Sequence, residues 1–194
     1  MKKYLIYILI IILIIGGVYL YKNSNEKENH NDNSNDGENK TTEVIKDTKC
    51  INGYECIVKD NKKYYFSNKT SISINNMYNY VTDEMEAGSL KIEDGTLKFI
   101  GLDNKVLKVF DNVHNAKYIE SNTFCSETYY VVLTSDNKVY RTDVNLSLFL
   151  EEPFYQIELD YDVKGISLNN GDNTCINDLT VISDKDEIKT IKEN

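Results

Sequence analysis

Tryptophan is absent from this sequence, proline occurs once, at Pro153, and histidine occurs twice, at His30 and His114. That scarcity removes whole classes of chemistry. A zinc site needs Cys and His in close sets, and neither histidine has a metal-ligand neighbour in sequence. A Ser-His-acid or Cys-His mechanism would depend on His114, since His30 sits in a polar tract, yet His114 follows the turn at Asp111 and Asn112 and reads as a solvated loop residue. No Cys-x-x-Cys pair occurs, and no glycine-rich phosphate loop follows an apolar strand. Clustered lysine and arginine are missing too. With 22 Lys and Arg against 31 Asp and Glu, the net charge is −9, which argues against nucleic acid as a partner because phosphate binding rests on basic clusters. No catalytic residue is assigned.

What is present begins with an unbroken apolar run from Tyr4 to Tyr21, preceded by Lys2 and Lys3. As a helix it rises about 27 Å at about 1.5 Å per residue, close to the hydrocarbon thickness of a bilayer. Its centre is Ile and Leu, and tyrosines stand near both ends, where amphipathic rings suit the headgroup level. The run is longer than the apolar region of a signal peptide and is followed by no clear cleavage site, which favours an uncleaved anchor. Residues 1–22 are therefore expected to be a single transmembrane helix, with residues 4–21 in the membrane. Lys2, Lys3 and the α-amino group outweigh Lys22 and Lys27, placing the N-terminus in the cytoplasm and the rest outside.

Residues 23–48 are Asn, Glu, Asp, Lys and Ser with little apolar content before Val44 and Ile45, a composition that cannot bury enough surface to offset ordering. They read as a disordered tether. Within it Asp32, Ser34, Asp36 and Glu43 fall at positions 1, 3, 5 and 12 of a loop that resembles the calcium site of EF-hands, with Gly37 at position 6. Calcium is the one cofactor the sequence offers. Asn39 and Lys40 at the eighth and ninth positions, and the lack of flanking amphipathic helices, favour a chance match in an Asn/Asp-rich tract.

Residues 49–194 carry the signals of strands and tight turns. Four segments share an apolar run, a turn built on Asp, Asn and Lys, and a second apolar run: Tyr54 to Phe66, Leu97 to Phe110, Tyr129 to Thr142 and Leu179 to Ile191. Asp and Asn tolerate the positive φ of hairpin turns, so each is expected to be a β-hairpin, and Asp94-Gly95 marks one more. Tyr129 to Leu133 is apolar on both faces and should be a central strand. Tyr155 to Val163 alternates apolar and polar, as one half-buried strand or two short ones. A short helical or irregular piece is expected near Met77 to Ala87.

The turns recur at blade-like spacing, and Cys50-Ile51-Asn52 leads the first hairpin as Cys175-Ile176-Asn177 leads the last. The segment from Tyr130 to Asn145, YVVLTSDNKVYRTDVN, resembles one blade of the regulator of chromosome condensation type of β-propeller, and VKGISLNN at Val163 is similar to the strand that opens such a blade. The resemblance implies an all-β fold of antiparallel hairpin repeats, a partial or small propeller-like array. A β-sandwich is the alternative.

Four cysteines permit three pairings if the domain is outside the cell, where disulfides persist. Cys50 with Cys56 would close a small loop and leave Cys125 with Cys175; reduced, buried cysteines at equivalent repeat positions are the other reading. Tyr64, Tyr65, Tyr78, Tyr80 and Tyr140 are candidates for stacking on sugars or anchoring a protein. The acids Glu151, Glu152, Glu158, Asp160 and Asp162 read as solvated rows, although paired carboxylates need only meet in space. The expected function is thus non-catalytic binding of a protein or surface glycan by a membrane-anchored, extracytoplasmic β-repeat domain. The alternatives are a carboxylate-based hydrolase at the cell surface and a structural subunit of a membrane complex.

Overall fold

The structure, a computed structural model, describes residues 45–47, 49–79, 81–125, 127–142, 148–171 and 177–192. The expected membrane helix lies outside these residues, as do nearly all of the tether and the EF-hand-like loop at Asp32, Ser34, Asp36 and Glu43. Among the described residues no helix is long and apolar enough to cross a membrane.

The described residues are all-β. They form four antiparallel sheets, each made of strands consecutive in the chain. Sheet I contains β1 (Ile45–Asp47), β2 (Tyr54–Lys59) and β3 (Lys62–Ser67). Sheet II contains β4 (Ser71–Asn79), β5 (Glu84–Glu93), β6 (Thr96–Gly101) and β7 (Val106–Val109). Sheet III contains β8 (Ala116–Phe124), β9 (Glu127–Thr134), β10 (Val139–Thr142) and β11 (Phe154–Ile157), and sheet IV contains β12 (Val163–Asn170), β13 (Asn177–Ser183) and β14 (Ile188–Ile191). Each sheet is an open meander. None closes into a barrel, and no closed propeller ring is formed among the described residues.

All five expected hairpins are present, and their turns show why. Asp60 and Asn61 take φ of 51° and 58°, Asp94 takes 50° ahead of Gly95 at 74°, and Asn104, Asn137 and Asp186 lie at 63°, 65° and 62°. These are left-handed conformations that Asn, Asp and Gly adopt at least cost. The local chemistry of the turns thus sets the register of the strands beside them.

One local expectation is corrected. Residues Met77 to Ala87 are not helical; they are the closing end of β4 and the opening of β5, with Met77 opposite Glu86 and Tyr78 opposite Met85. The reversal is driven by Asn79, whose side-chain oxygen accepts the Val81 N–H at 3.0 Å while its carbonyl accepts the Asp83 N–H at 2.8 Å. Asp83 then takes φ of 59° and turns the chain back. An Asx-type turn of this kind competes directly with helix formation. The alternating stretch from Tyr155 to Val163 resolves into two pieces: β11 ends sheet III at Ile157 and β12 opens sheet IV at Val163.

The sheets pack face to face through three apolar clusters. Ile74, Leu90, Leu97 and Phe99 of sheet II meet Ile119, Tyr130, Val132 and Phe154 of sheet III. Tyr129, Val131, Leu133 and Val139 on the opposite face of sheet III meet Val163, Ile166, Leu168, Leu179 and Val181 of sheet IV. Ile57 and Phe66 of sheet I meet Ile182 of sheet IV. The packing order is therefore II, III, IV, I. Strand β9 is apolar on both faces because it lies inside sheet III and is covered on both sides.

A polar junction ties sheet I to sheet III. Lys69, in the connection from β3 to β4, donates to Glu120 Oε1 at 2.9 Å and to the Tyr54 hydroxyl at 2.5 Å, with its ammonium 4.1 Å from the centre of the Tyr54 ring. Burial alone would lower the Lys69 pKa, but the bonds to Tyr54 and Glu120 outweigh it and leave the ammonium held above its ordinary range. Beside it the Ser67 hydroxyl donates to the Ile119 carbonyl at 2.6 Å, and the Lys69 carbonyl accepts the Ile119 N–H at 2.9 Å.

Candidate functional site

Sheets I and IV touch along only part of their facing surfaces. In an antiparallel sheet, residues directly opposite one another share a face, so the pairing of Ser167 with Thr180, Asn169 with Asp178 and Thr180 with Thr190 puts these side chains on one face of sheet IV. Gly165, Ile182 and Ile188 belong to the same face by the same alternation. Against it stands the face of sheet I carrying Ile57, Tyr64 and Phe66, with Lys62 in phase.

Contact is tightest at Gly165. A Cβ there would lie 3.0 Å from Cγ of Phe66 and 2.8 Å from Cγ2 of Ile182, so only glycine lets the sheets approach this closely. Away from that point the facing residues turn polar, and a cleft of about 280 Å³ opens. Sheet I lines it with the stretch from Lys62 to Tyr65. Sheet IV supplies Ser167, Asn169, Asp178, Thr180 and Thr190.

The floor is a ladder of hydrogen-bonding groups across three strands. Asn169 Nδ2 donates to Thr180 Oγ1 at 3.1 Å, and the Thr180 and Thr190 hydroxyls stand 3.5 Å apart. Thr180 and Ser167 are buried, whereas Asn169 and Thr190 are exposed and Asp178 is half-buried. On the wall the Lys62 ammonium lies 5.2 Å from the centre of the Tyr64 ring. Lys63 is turned to other work. It pairs with Asp47 at 2.8 Å and donates to the Lys49 carbonyl at 2.7 Å, and the hydrogen bond it donates to Asp47 holds its ammonium above the usual range while lowering the carboxyl of Asp47. Lys62 and Asp178 have no ion-pair partner among the described residues, so one cationic and one anionic group remain available to a ligand.

The tyrosines singled out by sequence are dispersed. Tyr64 and Tyr65 line the cleft, Tyr64 half-buried and Tyr65 39 % exposed. Tyr78 stands on the β4–β5 hairpin, its hydroxyl donating to Asp83. Tyr140 packs against the cluster between sheets II and III and donates to Gln156 Oε1 at 3.4 Å. Tyr80 lies outside the described residues. Cys50 and Cys56 are joined by a disulfide with 5.6 Å between their Cα atoms. Cys125 is also disulfide-bonded, and Cys175 lies outside the described residues.

Sequence reasoning did not single out Ser167, Asn169, Asp178, Thr180 or Thr190. A signal existed: in β12 and β13 Ser167, Asn169, Asp178 and Thr180 alternate with Ile166, Leu168, Leu179 and Val181, which marks two faces of different character. Nothing in the alternation says that the polar face looks onto another sheet rather than onto water. The pair of half-buried Lys69 and buried Glu120 was missed for the same reason.

His114 is exposed. Among the described residues no group of three or more His, Cys, Asp or Glu side chains is arranged to hold a metal ion. A larger concavity of about 600 Å³ on sheet II, bordered by Ser73, Ser89, Ile100, Leu102 and Val106, is more open and has no aromatic side chain among its described lining residues. The cleft between sheets I and IV is therefore the better candidate. No protein-family model matches the chain, nor does any curated protein or solved structure.

Proposed function

We propose that this protein is a membrane-tethered, extracytoplasmic β-repeat domain that binds a ligand in the cleft between sheets I and IV without transforming it. The observation that carries the reading is the composition of that cleft. Two facing sheets in a domain normally exclude water, yet the residues lining this cleft are tyrosine, lysine, hydroxyls, one amide and one carboxylate. Burying such groups without a partner is costly, and keeping them at an open cleft makes them available for exchange with a ligand's polar groups.

Three further features support the setting. The apolar run from Tyr4 to Tyr21 suits a membrane anchor, with the excess of positive charge ahead of it favouring an extracytoplasmic domain. The disulfide between Cys50 and Cys56 fits an oxidising compartment, as does the disulfide-bonded state of Cys125. Four consecutive meander sheets packed through their faces are the arrangement of propeller blades, which favours a partial, propeller-like array related to the regulator of chromosome condensation type.

The test uses the full-length protein in detergent micelles and a purified cell-surface fraction containing proteins and glycans. Wild type should be retained by the fraction, and Tyr64→Ala combined with Asp178→Asn should not, with both proteins equally folded by circular dichroism. Equal retention of the two, or release of soluble fragments from the fraction by wild type alone, defeats the proposal; the second outcome favours a hydrolase.

A further inference from the structure

The chemistry of the cleft also narrows the class of ligand. Resting on the reading of this cleft as a binding site, we infer that its ligand is a glycan chain laid across the face of sheet IV, not a peptide added to a sheet edge. Asp178 and Thr180 come from β13, the central strand of sheet IV, whose backbone is paired with β12 on one side and β14 on the other. A peptide that binds as an added strand needs free backbone groups at an edge. The neighbouring β3, β12 and β14 are edge strands, but Tyr64, Ser167, Asn169 and Thr190 lie on the facing sides of their sheets, so recognition falls to side chains on sheet faces.

A protein hot spot centres on a well-packed, desolvated pocket, whereas the described lining of this open cleft is, beside its tyrosines and lysines, hydroxyl, amide and carboxylate. These groups suit a pyranose ring. Its C–H faces stack on an aromatic such as Tyr64, whose half-buried ring borders the opening. Its hydroxyls, each both donor and acceptor, match the ladder of Asn169, Thr180 and Thr190, whose groups retain unused capacity after bonding one another. The Asp178 carboxylate is an acceptor with two oxygens and takes neighbouring hydroxyls of a diol as charge-assisted bonds. At about 280 Å³ the cleft holds a ring while the chain continues into solvent.

The decisive experiment is calorimetric titration of the full-length protein in detergent micelles with four defined probes: chitotetraose, cellotetraose, maltotetraose and mannotetraose. At least one should bind, and Tyr64→Ala and Asp178→Asn should each weaken that binding by about tenfold or more, the loss of roughly one good contact. Thr190→Ala, an exposed change that leaves the fold intact, provides a second reading should Tyr64→Ala unfold, and should weaken binding in the same sense. The same proteins are also panned against a displayed library of random decapeptides. Peptide binding sensitive to Tyr64→Ala, with none of the four oligosaccharides bound, overturns the glycan inference and leaves the cleft as a binding site. Binding of any probe that ignores all three substitutions, or no binding by oligosaccharides or peptides, overturns both.

Discussion

Sheet IV presents two faces to two neighbours, and they differ in kind. Toward sheet III it offers Ile166, Leu168, Leu179 and Val181, which with Tyr129, Val131 and Leu133 make a dry core. Toward sheet I it offers Ser167, Asn169, Asp178 and Thr180, beside a small apolar contact of Gly165, Ile182 and Ile188 with Ile57, Tyr64 and Phe66. One face holds the fold, and the other carries the cleft proposed to take a ligand. Because successive residues of a strand point to opposite sides, the two roles are interleaved residue by residue along β12 and β13. Neither role has to be compromised for the other.

If that division is real, sheet I should be held chiefly by contacts outside the cleft, and the largest mutational effect should fall there. Lys69→Ala removes the cation from Glu120, which is buried, with one carboxylate oxygen that has no hydrogen-bond partner. Stranding that charge should cost about 3–5 kcal/mol of unfolding free energy in urea denaturation. Adding Glu120→Gln should recover part of it. An effect below about 1 kcal/mol would mean that the cleft itself does the holding.

Next in size is Leu179→Ala on the dry face. Leu179 is fully buried, and the exchange should cost about 3 kcal/mol as transfer and cavity contributions add. A core independent of the cleft is probed by pH. Tyr130, between sheets II and III, loses most of its solvation, and burial pushes its phenol up to about 12. The unfolded chain ionises first, near 10, so this contribution to stability is whole below pH 10 and is lost as pH rises toward 12, by about 2–3 kcal/mol. Tyr130→Phe should flatten that decline. The smallest effect is expected from Thr180→Val on the wet face: within about 1 kcal/mol in stability, because its partners, the Asn169 amide and the Thr190 hydroxyl, lie at an open cleft. A Thr180→Val cost equal to that of Leu179→Ala would erase the distinction between the two faces.

Much of the fold was legible because its cues are local. Asp60, Asn61, Asp94, Asn104, Asn137 and Asp186 announce their turns by residue type alone, and each takes the positive φ expected of it. The doubly apolar run at Tyr129 to Leu133 likewise declares a central strand. Where the local signal was mixed, at Met77 to Ala87, the turn at Asn79 and Asp83 and the pairing of β4 with β5 decided the outcome. Of the cleft, only the tyrosine side was visible, since Tyr64 and Tyr65 are noteworthy residues in any sequence whereas Ser167, Asn169 and Thr180 are not.

The sequence by itself determined the hairpin turns and the central strand at Tyr129 to Leu133, because backbone preference and apolar patterning act over a few residues. Only the tertiary structure decided which polar face is covered. Sheet I, early in the chain, lies against sheet IV at its end, and that meeting turns a row of ordinary serine, asparagine and threonine side chains into the wall of a cleft. Its cause is physical: alternation specifies that a strand has a polar side, but what stands opposite that side depends on packing between segments far apart in sequence.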